Sequence, residues 1–219
     1  MSSLAKYDIF HSSYYHGIRY AGDFEMPVIE GTDKIPQALQ RFSDAKSRKR
    51  SDNGAWVVPY ENDKALRPMW RNAWRYMDRM LEHPGMFSWD FSMYRVMPWG
   101  LQYWNCFRSR LLGALYEHCG GECIPNIRPA DSRSLVYSLD GLPTEASVGM
   151  STFGAIGTPE DRAIFTRYVS KATRILRPKN IIVSGNAPDD IFYPARAAGV
   201  NVVVFPNNFQ QAHPRKKAS

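Results

Sequence analysis

From residue 54 onward, apolar runs rich in β-branched residues alternate with segments of helical period, and this alternation limits the fold more than any other feature. The runs 181–183 (IIV) and 202–205 (VVVF) are continuously apolar, which is typical of parallel strands covered on both faces. We therefore predict an α/β fold of repeated β-α units around a mainly parallel sheet of about six strands. The pattern leaves two architectures open, an open doubly wound sheet and a partial β/α barrel.

The same periodicities give the approximate limits of the elements. Strands are predicted at residues 55–59, 86–91, 122–127, 146–150, 181–183 and 200–205, and helices at 64–82, 101–118, 159–176 and 190–198. At least one of Gly120 and Gly121 is expected to end the second helix with a positive φ, and Thr158 to cap the third. Residues 1–53 are predicted to form an arm with one short helix near 36–43, residues 54–208 the α/β domain, and residues 209–219 a basic tail.

Composition excludes some classes of protein. No apolar run approaches the roughly 20 residues that cross a bilayer, and the N-terminus has no apolar signal core, so we expect a soluble cytoplasmic protein without a membrane partner. The three cysteines are an odd number, typical of a reducing compartment. The stretch 118–123 (HCGGEC) lacks the second ligand pair of a zinc site. The sequence therefore predicts no zinc or histidine-based metal centre.

The net charge of +7 favours a phosphate-rich partner such as nucleic acid. Part of the charge lies in two basic segments, and their cations are candidate nucleic-acid contacts: Arg48, Lys49, Arg50, Arg215, Lys216 and Lys217. The alternative is that both segments are solvated and mobile. The tyrosine-rich stretch 11–20, with Arg19, can either stack on bases or pin the arm to the domain.

Small polar and charged residues follow the predicted strands, where α/β proteins place their ligand sites. Candidate ligand-binding residues are Asn62, Asp63, Asp90, Arg128, Arg133, Ser151, Thr152, Ser184, Asn186 and Asp189. Asp90 and Asp131 are the candidate catalytic residues, and they could hold Mg²⁺ if they converge. Turn and cap roles are the alternative: Asp189 is well placed to cap its helix, and Asp131 to pair with an arginine.

If the strand ends form one site, Asp90, Arg128, Asn186 and one of Asp189 or Asp190 are expected to face a shared cleft. Charge reversal at Asp90 is then expected to leave the thermal midpoint nearly unchanged, since a rim carboxylate contributes little to the core. The chain contains no Walker A loop, no Gly-x-Gly-x-x-Gly after a strand and no Gly-x-Ser-x-Gly elbow. The small-residue loop 151–157 (STFGAIG) could hold an anion at a helix N-terminus.

The stretch 89–131 resembles an uncharacterised family of phages, prophages and other mobile elements, known as domain of unknown function 4417. The resemblance rests on Asp90-Phe91-Ser92, residues 98–105, the glycine pair and Ile124-Pro125, and it extends from about residue 23 to 208. It implies a mobile-element setting, in the host cytoplasm if a phage encodes the chain. It supplies no activity, cofactor or catalytic residue.

Three functions remain open at this point. The first is a phage or mobile-element protein that binds nucleic-acid phosphates through its basic segments and the rim of strand ends. The second is an enzyme that acts on a small anionic or nucleotide-like ligand with the rim aspartates. The third is a host-interaction or anti-defence protein without catalysis. Charge and setting favour the first.

Overall fold

A computed structural model describes residue 8 and residues 10–206 of the chain, with seven parallel strands that adjoin in space in their chain order. Four of these strands pair side by side in one set, in the order β3 (Leu39–Arg41), β4 (Trp56–Val58), β5 (Met86–Phe87) and β6 (Cys123–Ile124). Three form the next, β7 (Ser147–Ser151), β8 (Asn180–Ser184) and β9 (Asn201–Phe205). A parallel bridge between Asn126 and Gly149 joins the two sets. A short antiparallel pair, β1 (Tyr20–Ala21) and β2 (Met26–Pro27), precedes them.

The helices lie between successive strands, so the α/β fold class predicted from the sequence is confirmed. They are α1 (Phe42–Ala45), α2 (Asp63–Arg71), α3 (Trp74–Leu81), α4 (Trp99–His118), α5 (Pro159–Leu176) and α6 (Asp189–Ala197). Two 3₁₀ turns cover Ser12–Tyr14 and Ser132–Val136. Within the described residues, no helix is both long enough and apolar enough to cross a membrane.

The sheet is rolled into a partial barrel. Leu39 of β3 and Phe205 of β9, from the two edge strands, pack against the same buried cluster, which contains Phe87 and Ile182. No member of this cluster lies on a helix, so the side chains on this face of the sheet are covered by one another, as they are inside a curved sheet. Along the described chain no ladder joins β9 to β3, so the barrel is not closed by hydrogen bonds. Of the two predicted architectures, the partial β/α barrel accounts for this cluster of strand side chains on the inner face.

Two further cores lie between the strands and the helices. One packs β4 and β5 against α1 to α4 and includes Phe42, Trp70 and Leu112, all buried. The other packs β7 and β8 against α5 and α6 and includes Phe165 and Ile181. Apolar residues on both faces of these strands explain why their sequences read as continuous apolar runs.

The region before residue 54 differs from the prediction. The expected short helix near 36–43 is wrong over residues 39–41, which form β3 and pair in parallel with β4. The helix that follows, α1, has four residues. The sequence of β3, Leu39-Gln40-Arg41, has no apolar run, and its strand conformation comes from pairing with β4. The parallel sheet therefore begins inside the segment that we predicted to be an arm.

The predicted helix 64–82 is two helices, α2 and α3, which break at Asn72. Asn72 leaves the helical region with φ −159° and ψ 80°. Pro68 lies inside α2 and lacks a backbone N–H, which weakens this helix. The backbone N–H of Ala73, just after the break, donates to the hydroxyl of Tyr14 over 2.7 Å. A side chain of the N-terminal segment therefore accepts a hydrogen bond from a backbone N–H at the point where the helix is interrupted.

The N-terminal tyrosines pin the preceding segment to the domain. Tyr14 is 2% exposed and packs edge-on against Trp70, with ring centroids 5.9 Å apart. Its hydroxyl also donates to the carbonyl of Trp70. Tyr20 stacks on Phe107 at 6.3 Å. Because Tyr14 is buried, it cannot stack on bases, and the pinning alternative holds for this residue.

Two predicted helix ends are confirmed. Thr158 and Asp161 form a reciprocal capping box at the start of α5. Gly120 follows α4 with φ 92°, and the N–H of Gly121 donates to the carbonyl of Tyr116. The predicted tail 209–219 and the last residues of the predicted domain, Asn207 and Asn208, lie outside the described residues.

Candidate functional site

Four residues from three strand ends form a hydrogen-bonded network, which we call the strand-end network: Tyr60, Asp90, Asn126 and Arg128. The hydroxyl of Tyr60 donates to Asn126 Oδ1 over 3.1 Å. Asn126 Nδ2 and Arg128 Nε both donate to Asp90 Oδ1, each over 2.8 Å. Each member follows a strand, β4, β5 or β6, so the parallel sheet brings them to one edge.

The strand-end network is buried. The Asp90 side chain is 5% exposed and that of Arg128 is 22% exposed. Burial, together with the charge of Asp90, raises the pKa of Tyr60 well above its usual range. Burial lowers the pKa of Arg128, but the ion pair with Asp90 more than offsets this, so the pKa of Arg128 is raised. The network is thus an ion pair with neutral hydrogen-bond partners, an arrangement that fastens strand ends together.

The space beside Asp90 is too small for a nucleotide. The cavity there measures about 20 Å³ and is lined by Asn126 and Arg128, together with residues of α4 and α5. A cavity of this size admits about one water-sized species. Neither Asn186 nor the aspartates at 189 and 190 line it. The cavity beside Asp90 is therefore not the shared cleft that we predicted; β5 and β8 lie three strand spacings apart in the order of the strands.

Asp131 belongs to a separate group. Its Oδ1 accepts the backbone N–H of Arg133 over 2.8 Å and caps the 3₁₀ turn that follows. Its Oδ2 accepts from Gln102 over 2.9 Å and from the Arg133 guanidinium over 2.6 Å. The hydrogen bond from Arg133 holds the pKa of Asp131 at about 2. The two candidate catalytic aspartates thus have different partners. No group of three or more His, Cys, Asp or Glu side chains in the described part of the chain could hold a metal ion.

Asn62 and Asp63 organise the start of α2. Asn62 Oδ1 accepts the backbone N–H of Ala65 over 3.1 Å, which makes Asn62 the N-cap. Asp63 Oδ1 accepts from both the backbone N–H and the hydroxyl of Ser92, each over 3.0 Å. These contacts tie α2 to the segment after β5. Both residues therefore make structural contacts of the turn and cap kind, which we gave as the alternative to ligand binding.

The polar residues that follow β7 and β8 hydrogen-bond the ends of these two strands to each other. Thr152 Oγ1 donates to the carbonyl of Asn186 over 2.8 Å and accepts its N–H over 3.0 Å. Gly185 has φ 114°, and a Cβ at this position would meet Thr152 Oγ1. Ser151 and Ser184, at the ends of the two strands, are paired in register and buried. Glycine is therefore required here for close backbone approach.

Asp189 does not cap α6, contrary to the structural role that we predicted for it. It is the first residue of the helix, the N-cap is Pro188, and no side chain caps this end. The Asp189 side chain is 92% exposed and pairs with Arg196 over 2.7 Å. Its negative charge in the first turn is favourable for the helix dipole.

Residues of α2 and α3 form a basic groove, which the predictions based on strand ends did not include. We use this name for the open cavity of about 570 Å³ lined by Lys64, Arg67, Pro68, Arg71, Asn72, Arg75 and Tyr76. Its four cations are exposed, and none pairs with an acid in the described part of the chain. Their three- and four-residue spacing, opposite the buried Leu66 and Met69, is the signal that could have identified them.

The basic groove continues toward the first predicted basic segment. Tyr76 packs edge-on against Phe42 of α1, with ring centroids 5.7 Å apart, and the ammonium group of Lys46 lies over the Phe42 ring, 5.2 Å from its centre. Arg48 and Lys49 follow and are exposed, whereas Arg50 pairs with Asp44 over 3.2 Å. The other predicted cations, Arg215, Lys216 and Lys217, lie outside the described residues.

Comparison with known proteins relates the chain to phage proteins. The family model described as Domain of unknown function (DUF4417) matches residues 18–199. The Gene 1 protein of Mycobacterium phage L5 is 26% identical over 163 residues, which are 74% of this chain and 71% of that protein. The Gene 1 protein of Mycobacterium phage D29 is 24% identical over 163 residues, which are 74% of this chain and 60% of that protein. No solved structure gives a significant match.

Proposed function

This chain belongs to the family described as Domain of unknown function (DUF4417), and we propose that it binds the phosphate backbone of a nucleic acid through the basic groove. The observation that carries the proposal is a set of four exposed cations around one open cavity, without acidic partners in the described part of the chain. Its relatives in mycobacteriophages support a phage or prophage setting. The proposal includes that setting and the host cytoplasm.

Unpaired cations favour phosphate because they are not already neutralised. Most exposed arginines in ion pairs have satisfied donors, whereas those of the basic groove can offer bidentate hydrogen bonds to phosphate oxygens. Residues three and four apart on a helix are about 4.5–6 Å apart along its axis, so Lys64, Arg67 and Arg71 form a row. A row of charges fits a chain of phosphates better than it fits one small anion.

Tyr76 adds an aromatic surface to the groove. The Arg75 guanidinium lies 5.7 Å from the centre of its ring. Proteins that bind single strands combine a cationic groove with aromatic side chains on which bases stack, without reading the sequence. We therefore expect binding to single-stranded DNA or RNA with little sequence preference.

The proposal places binding at the helices and not at the rim of strand ends. The rim cations Arg128 and Arg133 each pair with an aspartate, over 2.8 Å and 2.6 Å. Releasing them for phosphate would leave Asp90 and Asp131 without their charged partners. The groove cations carry no such cost. The enzymatic alternative has no comparable observation in its favour.

The test is a salt titration of affinity for single-stranded oligonucleotides by fluorescence anisotropy. The double variant Arg67→Gln/Arg71→Gln should weaken binding and reduce the slope of log K against log[salt] by about 1.4, since each phosphate contact contributes about 0.7. The matched control is Arg167→Gln/Arg174→Gln, which removes the same charge from two exposed arginines of α5.

The control separates a local site from net charge. If both double variants change the slope equally, attraction is a property of the whole positive protein and the basic groove is not the site. If the unmodified protein binds neither DNA nor RNA at low salt, the proposed function is wrong. Circular dichroism spectra of the variants should be unchanged, because the four substituted side chains are exposed.

A further inference from the structure

One wall of the small cavity beside the strand-end network is formed by polar residues that do not belong to the network. This wall is formed by α4, α5 and the loop before β7, and it includes Ser109, Arg110, Ser138 and Tyr168. The cavity measures about 20 Å³. All four side chains are nine-tenths or more buried. The wall therefore carries polar groups inside the protein and away from the basic groove.

Arg110 is a buried charge whose hydrogen bonds go to carbonyl groups, and the Asp140 carboxylate acts on it only from beyond ion-pair distance. Arg110 is 3% exposed, and its guanidinium donates to the carbonyls of Asp140 over 2.8 Å and of Ser138 over 2.9 Å. No carboxylate in the described part of the chain lies within ion-pair distance of it. Since Asp90 and Arg128 neutralise each other, the cavity lining carries one net positive charge. Burying a charge without a counter-charge is costly.

Two hydroxyl groups of the same wall do not use their O–H in a normal hydrogen bond within the described part of the chain. Neither Ser138 Oγ nor Tyr168 Oη has a normal hydrogen-bond partner among the described residues, and they are 2% and 0% exposed. The two hydroxyls lie close to each other, and a weak hydrogen bond from Ser138 lowers the pKa of Tyr168 against the larger effect of burial, but the geometry between them is outside that of a normal hydrogen bond. Buried polar groups nearly always have a partner. Both hydroxyls can therefore donate to a species in the cavity.

We infer that this cavity is a binding site for a small inorganic anion of the size of chloride, held by the Arg110 guanidinium and the hydroxyls of Ser138 and Tyr168. The size of the cavity excludes phosphate and nucleotides. A water molecule would satisfy the hydroxyls but would leave only the more distant carboxylate of Asp140 to balance the positive charge of Arg110. A monovalent anion satisfies both, and it would link α4 to α5.

The direct test is diffraction from crystals of the full chain grown or soaked in bromide, which replaces chloride and scatters anomalously. The expected result is an anomalous difference peak in the cavity, between Arg110 and the two hydroxyls. Density there without an anomalous signal would identify a water molecule and overturn the inference.

The matching test in solution compares thermal unfolding in sodium chloride and in sodium gluconate at equal ionic strength. An anion that binds the folded state raises the thermal midpoint, and we expect roughly 2–4 °C between low and saturating chloride. Tyr168→Phe removes one donor and should reduce this difference, and Ser138→Ala serves if that variant does not fold.

Thr173→Val is the control, because Thr173 is another buried hydroxyl of α5 without a partner in the described chain, but it does not line the cavity. It should keep the chloride-dependent difference in full. An equal loss in all three variants, or no difference between chloride and gluconate in the unmodified protein, would overturn the inference. An anomalous peak without any stabilisation would show a halide bound at crystal concentration only, which also overturns it.

Discussion

The side chain of Asp90 accepts hydrogen bonds from Asn126 and Arg128, and this changes what its removal should do. The expectation that a rim aspartate matters little for stability is wrong for a carboxylate that is 5% exposed in an ion pair. Removal of one partner of a buried pair costs about 3–5 kcal/mol, and the partial exposure of Arg128 favours the lower end.

We predict that Asp90→Ala lowers the free energy of unfolding by about 3 kcal/mol, as measured by urea denaturation. Asp189→Ala, at a side chain that is 92% exposed, should change it by less than about 0.5 kcal/mol. Equal effects of the two substitutions would contradict a structural role for the buried pair.

Glu117 gives the molecule a pH dependence. Its carboxylate accepts the backbone N–H groups of Glu30 and Gly31, each over 2.8 Å, and so holds that loop against α4. Burial raises the pKa of Glu117 from 4.5 to about 7, against the effect of the bond from Gly31. Between these values the folded protein binds a proton that the unfolded chain has released. The stability from this group is complete below about pH 4.5 and is lost as the pH rises through 7.

We predict that Glu117→Gln flattens this part of the pH profile, because the amide cannot ionise. The measurement is the urea midpoint at several pH values between 4.5 and 7.5. Glu30→Gln, at a side chain of the same loop that is 67% exposed, should keep the profile of the unmodified protein. An unchanged slope in Glu117→Gln would mean that other groups produce it.

At the scale of the elements, helix ends and breaks decide which side chains meet. The break between α2 and α3 lets Arg71 and Arg75 line one groove on two separate helices. Tyr14 maintains this break through its bond to Ala73. The N-terminal segment thus contributes to the shape of the basic groove without lining it.

The end of α4 provides a test with two glycines. Gly120 has φ 92°, and a Cβ there would meet no atom within 4 Å, so Gly120→Ala should cost about 1 kcal/mol of unfolding free energy through backbone strain alone. Gly100 lies in the first turn of the same helix, also with open space and without a positive φ. Gly100→Ala should stabilise the protein by up to about 1 kcal/mol. A loss of stability in both variants would contradict the conformational explanation.

At the scale of the whole molecule, the rolled sheet places side chains from distant strands in one interior. Gly149 of β7 lies against Phe87 of β5 and near the hydroxyl of Tyr60, and a Cβ would collide with the Phe87 ring. We predict that Gly149→Ala destabilises the protein by about 1–3 kcal/mol through overpacking. Phe87→Leu in the same chain should restore part of the loss. Strictly additive effects of the two substitutions would show that the residues are not in contact.

The sequence by itself determined the features that depend on neighbours within a few positions. The alternation of strand and helix periods fixed the α/β class, and the Thr158 capping box and the positive φ of Gly120 follow from local composition. A helix bond joins residues four apart, so its signal lies within a short window. The family resemblance also came from short motifs and agrees with the match over residues 18–199.

Only the tertiary structure decided what depends on pairing over long distances. β3 is a strand because β4 pairs with it, and Asp90 is neutralised by Arg128, 38 positions away. Tyr14 reaches Ala73 across 59 positions, and the break it satisfies shapes the basic groove. Each of these partners is selected by which elements pair and pack together, and the curvature of the sheet decides which inner side chains meet. Local periodicity is identical in an open and a rolled sheet, so it carries no information on that choice.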